Sequence, residues 1–476
     1  MGDVGRARVR ADLSDLLGSA QVHWDEQTLL DHSHDTWALA LLRLQRGVLT
    51  DRPACVVTPL STDHVAQTIR YASDHRIPVV PYGAGSGVCG GVLPPAGAIV
   101  IDLRRMDRII DLNETALVAR VQAGMMGGRF EAELNRAGYS MGHFPQSIDV
   151  STVGGWVATR AAGQFSTRYG SIEDMLLGLE AVIPDGRVIR ITPTPRRSAG
   201  PDLRSLFLGS EGTLGVVTEL AVRIFPVPES RKLLCFNFPD LDSGLEAIRT
   251  IMRAGWKPPV LRLYDSIETA RHFGQWANDD GCFLIVITEG PSRLTAAEAE
   301  GCHASCTSFG GMPVGEQPVT HWLEERNNVP RFESFLEKGF VLDTVEVAAG
   351  WDRIHDLYRE VIAAVQTVKD LIVVSGHSSH SYAQGTNIYF TFVARPENPA
   401  DAEQTYFQCW RLTMEATLRC GGTIAHHHGI GRLRAEWMAK EHGAGLSVLQ
   451  AVKRTLDPRG IMNPGVLFPS GDESQA

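Results

Sequence analysis

The stretch GGTIAHHHGIGRLR, Gly421 to Arg434, sets three histidines side by side between a Gly-Gly pair and a Gly-Ile-Gly turn. Imidazoles so grouped can ligate a transition metal or exchange protons near neutrality, and the residue types alone leave both open for His426, His427 and His428. Neighbouring side chains alternate in an extended segment, so the three cannot all face one way. Cys302-x3-Cys306 with His303 between them lacks a second half-site, so it does not read as a metal motif.

Three Gly-rich segments in the first half suit an anion. PYGAGSGVCGG, Pro81 to Gly91, follows a strand-like run, and Gly83, Gly85 and Gly87 permit a run of backbone N–H groups to turn toward one ligand, with Ser86 adding a hydroxyl. Pro94 and Pro95 follow, so no helix opens as a Rossmann fingerprint requires. FPQSIDVSTVGGWVATRAAGQFSTRYGSIEDM combines small residues, hydroxyls and Gly154-Gly155, as close backbone approach to a flat cofactor demands. LFLGSEGTLGVVTELAVRIFP puts Gly209, Glu211 and Gly212 at the mouth of an apolar strand.

The elements that must position these residues follow βαβ grammar from about residue 51: ACVVTPL reads as a strand, STDHVAQTIRYASDH as a capped helix and IPVVPYG as a strand. Pro-Asp-Gly in GLEAVIPDGRVIRIT marks a hairpin. The pattern changes at Pro226 and Pro228, and strands such as KLLCFNF and CFLIVITEG then mix with helices such as DSGLEAIRTIMRAG. The 476 residues allow several domains; a formal charge of -10 gives no footprint for nucleic acid, and eight scattered cysteines read as reduced thiols. No apolar run is long enough to span a bilayer, the N-terminus has no secretory h-region and the ending ESQA is no receptor-read address, so a cytoplasmic protein is expected.

The order and spacing of the three Gly-rich segments resemble flavoproteins of the vanillyl-alcohol oxidase or p-cresol methylhydroxylase (PCMH) type over residues 50–230. That resemblance implies an α+β fold: an N-terminal helical segment (1–50), a two-subdomain PCMH-type FAD-binding domain (51–229), an α+β cap (230–415) and a C-terminal helical segment returning to the flavin (416–476). It implies FAD contacts at Pro81, Gly83, Ala84, Gly85, Ser86, Gly87, Gln146, Ser147, Asp149, Thr152, Gly154, Gly155, Thr159, Glu211, Gly212 and Val217. The first loop has Tyr82 and Cys89 but no histidine, so the flavin is expected to be noncovalent.

Within that superfamily, D-2-hydroxy acid dehydrogenases pair G-H-x-G-D-G-N-x-H with E-H-G-I-G around a metal. Here Tyr389 stands where they have their second histidine and His427 where they have glutamate, so no metal is expected. The triple histidine is similar instead to alkyldihydroxyacetonephosphate synthase. That likeness implies exchange of the acyl group of acyl-dihydroxyacetone phosphate for a long-chain alkyl group without net redox change. It implies Tyr389, His426, His427 and His428 as catalytic groups, with Arg262 (VLRLYDS) and Arg331 (VPRFESFL) on the substrate phosphate. The alternative is an FAD-dependent oxidase or dehydrogenase of a D-2-hydroxy acid or other hydroxylated substrate. A small-molecule or lipid substrate, peripheral membrane contact and a homodimer fit the same likeness.

Overall fold

Ser61 accepts the His64 N–H through its hydroxyl and starts the helix Thr62–His75, whose Val65, Ala66, Ile69 and Ala72 are buried along one face. Arg76, in the left-handed region at φ 54°, ends it. This helix is the crossover between strands Cys55–Val57 and Val79–Tyr82, which flank Ile99–Asp102 in a parallel set edged by the antiparallel Val22–His23. The Gly83 loop therefore leaves the carboxyl end of a parallel strand, where open α/β sheets bind ligands. The computed structural model describes residues 3–277, 280–329 and 331–468; the first two residues and the ESQA ending lie outside the described residues.

A second sheet of the first half is antiparallel, in the order Ile109–Asn113, Val118–Gln122, Val216–Arg223, Leu176–Val182, Val188–Ile191. Its last two strands form the hairpin expected at Pro-Asp-Gly, with Gly186 at φ 80°.

The second half builds one seven-stranded antiparallel sheet, ordered Met312–Pro313, Ser230–Phe238, Cys282–Gly290, Val260–Tyr264, Leu371–Ser378, Gly385–Ala394, Val341–Gly350. The helices Leu241–Arg253, Ser292–Ser308, Ile354–Val365 and Ala402–Arg419 pack on one of its faces. Strand alternation then decides which residues meet them. Leu261 and Leu263, Val345 and Val347, and Ile388, Phe390 and Phe392 join the helices in one core. Their neighbours Arg262, Thr344, Glu346 and Tyr389 consequently point to the other face.

The chain's last part returns to its first. Met462 bridges to Val79, Asn463 donates through its amide to the carbonyls of Gly91 and Glu211, and Lys453 donates to the Thr213 carbonyl. The N-terminal segment joins the halves as well, because Trp37 and Ala38 to Leu42 sit in the core of the second half and the Trp37 indole donates to the Tyr406 hydroxyl at 2.8 Å.

The fold is α+β, with the helix-covered face of the large sheet as its main core. Ile248 is fully buried there. Replacing it with alanine is expected to cost about 2–5 kcal/mol in urea unfolding, and a loss under about 1 kcal/mol would contradict this account of the core.

Candidate active site

On the sheet face away from the helices, register lines up one row of side chains: Glu346 lies opposite Tyr389, Tyr389 opposite His377, and His377 opposite Tyr264. Arg262, two residues before Tyr264, shares this face. Directly opposed residues are nearest neighbours across strands, so four strands bring a carboxylate, a phenol, an imidazole and a guanidinium together.

Tyr389 is the centre of the row. Its hydroxyl donates to Thr344 Oγ1 at 2.9 Å, and its ring stacks on His377 with centroids 4.9 Å apart. Burial raises its phenol well above the ordinary range, so it stays protonated. Arg262 donates from Nε to the Tyr264 hydroxyl at 2.6 Å and from Nη2 to His377 Nε2 at 2.6 Å. A guanidinium can only donate, so His377 must carry its proton on Nδ1, which lies 2.6 Å from Glu268 Oε2. Burial opposes the ionised Glu268, but His377 outweighs it and holds the carboxyl at about 2.

The histidine loop meets this row from above the sheet. Glu346, with none of its surface exposed, accepts the backbone N–H groups of His427 at 3.2 Å and His428 at 2.8 Å, and the Arg434 guanidinium at 2.9 Å. A second Arg434 nitrogen contacts the other oxygen, and His428 Nδ1 is 3.0 Å from it. Burial would raise this carboxyl, yet Arg434 and His428 hold it well below the usual range. His428 meets the Tyr389 ring edge-on at 5.5 Å and His426 stacks on His380 at 5.0 Å, yet successive rings of the loop stay in contact, with centroids 5.0 and 4.5 Å apart, because 426–428 form a bend rather than the extended segment that alternation assumes.

His380, His426 and His427 bring ring nitrogens within 4.8 Å of one another, the one such grouping among the described residues. Burial holds the imidazoles of His426, at about 4, and of His380 and His427 in the neutral form. Nδ1 of His426 and Nδ1 of His427 are 2.8 Å apart. Nitrogens about 2.1 Å from a tetrahedral ion stand roughly 3.4 Å apart, so this contact has the length of a shared proton.

The three Gly-rich segments converge. A Cβ on Gly83 would lie 2.5 Å from Thr152 Oγ1, and one on Gly212 would lie 2.8 Å from Pro81. Gly85 has φ +68°, and a Cβ there would strike the Tyr82 hydroxyl. None of the N–H groups from Gly83 to Gly87, Ala84 and Ser86 included, donates to another described group, so five successive donors are free for phosphate oxygens. The residues therefore fit FAD.

Of the other expected contacts, Thr152 and Gly212 touch this loop, and the rest lie along the segments that carry those two residues. Gly154 abuts Ala123, the Gly155 N–H donates to Thr152 Oγ1, and Thr159 donates to the Gly155 carbonyl. Ser147 is half-buried, Asp149 exposed, and Val217 buried in its strand; the exposed Gln146 donates to the Asn328 carbonyl. The Glu211 carboxylate is turned to the histidine loop, accepting from Ile430 N–H at 2.7 Å and Gly431 N–H at 3.0 Å. Cys89 is buried under Gly431.

Arg331 is an exposed loop residue whose carbonyl accepts from the Ser334 hydroxyl, and no described bond or ring contact ties it to Arg262 or the histidines. Glu346, Arg434, His377, His380 and Glu268 were missed as functional residues from sequence. The available signals were a lone glutamate inside the apolar run VLDTVEVAAG and the two histidines of SGHSSHSY.

Fold and site define a two-part protein whose first half carries convergent Gly-rich loops and whose second half carries a phenol among several imidazoles. Residues 53–192 match the FAD binding domain family, and residues 227–467 match the C-terminal domain of FAD linked oxidases. The chain belongs to this FAD-linked oxidase family, and its cofactor is FAD. It is 35% identical to the FAD-linked oxidoreductase YgcU of Escherichia coli O157:H7, over 98% of this chain and 99% of that protein. It is 31% identical to alkyldihydroxyacetonephosphate synthase of Trypanosoma brucei brucei, over 96% of this chain and 80% of the relative. A solved alkyldihydroxyacetonephosphate synthase superposes with a TM-score of 0.81 at 25% identity, covering 96% of this chain and 84% of that one.

Two predictions follow from the buried charges. Glu346→Gln strands a buried guanidinium, so unfolding stability is expected to fall by about 3–5 kcal/mol, and a change within 1 kcal/mol would show that the pair is no anchor. Burial raises Glu211 from 4.5 to about 7, so its folded form favours the proton; the stability this contributes is present below about 4.5 and lost as pH rises through about 7. Glu211→Gln should flatten the slope of melting temperature against pH across that window, and an unaltered slope would refute the assignment.

Proposed function

We propose that the protein is a transferase of the alkyldihydroxyacetonephosphate synthase type, replacing the acyl group of acyl-dihydroxyacetone phosphate with a long-chain alkyl group without net redox change. The observation that carries this reading is the row Arg262, His377, Tyr389, with His428 edge-on to the phenol. In the exchange a C–O bond to the departing carboxylate breaks, a C–O bond to the incoming alcohol forms, and the alcohol's proton must be taken up.

Bound FAD supplies a ring able to take and return an electron pair. Arg262 commits Nε and Nη2 to Tyr264 and His377, which leaves its Nη1 edge for a phosphate oxygen. His377 and Glu268 hold that edge in place. Tyr389, kept protonated by burial, can donate to the leaving oxygen, and the neutral imidazoles of His426 and His427 can accept from the alcohol. His428, edge-on to Tyr389, lies within the same proton-handling group. The exposed Arg331 would serve the phosphate only if its loop folds inward on binding.

On this reading the substrates are lipids met by peripheral contact, and no described helix is long and apolar enough to cross a membrane. A second reading, FAD-linked oxidation of a D-2-hydroxy acid or other hydroxylated substrate, is favoured by the similarity to YgcU along nearly the whole chain.

Anaerobic mixing of the yellow protein with each substrate separates the two. Release of fatty acid from acyl-dihydroxyacetone phosphate with no lasting bleaching is expected, whereas bleaching by D-lactate, glycolate or D-2-hydroxyglutarate would favour the oxidoreductase. Tyr389→Phe should keep its flavin and lose turnover by about 10²-fold or more. Full turnover in that variant would remove the phenol from the mechanism.

A further inference from the structure

His426 differs from its two neighbours in using both ring nitrogens. Its Nδ1 faces His427 Nδ1 at 2.8 Å, and its Nε2 faces the Tyr382 hydroxyl at 2.8 Å. Histidine and tyrosine can each accept a proton on one side and release one on the other, which a chain of hops requires. His427 forms the inner end, beside His380 at 4.9 Å and within 6.1 Å of Tyr389. Tyr382 forms the outer end: it is partly exposed, sits in a turn with exposed Ala383 and Gln384, and its N–H donates to the Gly385 carbonyl.

We propose that His427, His426 and Tyr382 form a proton wire that joins the imidazole cluster beside Tyr389 to bulk water. The catalytic importance of the wire rests on the reading of Tyr389 and the histidines as the reaction centre, while its existence does not. Outward, His427 takes up a proton at Nε2 and passes the one on its Nδ1 to His426 Nδ1, the proton on His426 Nε2 passes to the Tyr382 oxygen, and the phenolic proton moves to water. One proton crosses, no bond other than N–H and O–H changes, and all three side chains end neutral. His427 and His426 end as their other tautomers and reset when a proton travels back or the rings exchange.

Three features suit these residues to that task. The imidazoles of His426 and His427 rest neutral through burial, so each has a lone pair ready for an arriving proton. Burial lifts the Tyr382 phenol to about 12, so it relays without parting with its own proton for long. The Ser171 side chain also bonds the Tyr382 phenol at the start of the short helix Ile172–Met175, whose exposed Glu173 and Asp174 act electrostatically on it. Glu346 holds the backbone of His427 and His428, which keeps the inner ring in register with His426. The arrangement answers why three histidines stand together: one faces the phenol, one faces outward, and the middle one exchanges with the chain leading to Tyr382.

The test uses holoprotein carrying ¹⁵N-labelled histidine. After transfer to D₂O, loss of the His427 ring N–H signal is followed by NMR in wild type, Tyr382→Phe and His426→Gln. Both variants are expected to slow this exchange by roughly tenfold or more with the flavin spectrum unchanged, and free imidazole should restore the rate in Tyr382→Phe. Exchange at the wild-type rate in Tyr382→Phe would overturn the wire. Tyr389→Phe serves as the control for the reaction centre: it should exchange as wild type while losing turnover, and full turnover there would unseat the catalytic reading without touching the exchange result.

Discussion

A single buried carboxylate, that of Glu346, holds the site in order. An anion and a cation removed from water cannot exist apart, so Glu346 and Arg434 oblige strand Val341–Gly350 and the loop after residue 424 to meet. Oε1 of Glu346, which accepts from Arg434 Nη1, also takes up the backbone N–H groups of both His427 and His428, so the charge pair and the loop conformation are one structure. Arg434 lies over the Trp410 ring at 5.1 Å and donates to the Ile424 carbonyl, which ties the pair to the helix packed behind the sheet.

Carboxylates of opposite character divide the remaining work. Glu268, held ionised by His377, braces Arg262 from inside the cap. Asp35 and Glu211 are pushed up to about 7 by burial and flank Gly91 at the end of the Gly-rich loop, where the first accepts the Gly91 N–H and the second accepts from Ile430 and Gly431. Carboxyls that bind a proton easily place less fixed negative charge there than ordinary anions would. The loop thus gains hydrogen-bonded walls that carry little charge.

Much of this was legible in the sequence because its cause is local. Gly83 and Gly85 are required by contacts with Thr152 and Tyr82, and glycine spacing announces such crowding directly. The strand carrying Tyr389 and the capped helix Thr62–His75 follow from periodicity. Glu346 was not legible, because its meaning comes from Arg434, 88 residues later. His377 stood in a stretch already singled out, yet its role depends on Glu268, 109 residues earlier, and on a register that no single strand encodes. Arg331 illustrates the converse: a motif can nominate an arginine, but only tertiary packing decides whether it faces a cleft or solvent.

The return of Met462 and Asn463 to Val79, Gly91 and Glu211 sets a schedule for biosynthesis. A ribosome has finished the dinucleotide-binding half long before it reaches codon 463, but the amide that braces the Gly91 carbonyl has not yet been made. Domains emerging N-terminus first can begin to fold at once. The contacts that close the Gly-rich loop against the chain's last part are therefore completed only once residue 463 has been made, and a nascent chain stalled near residue 420 would lack them.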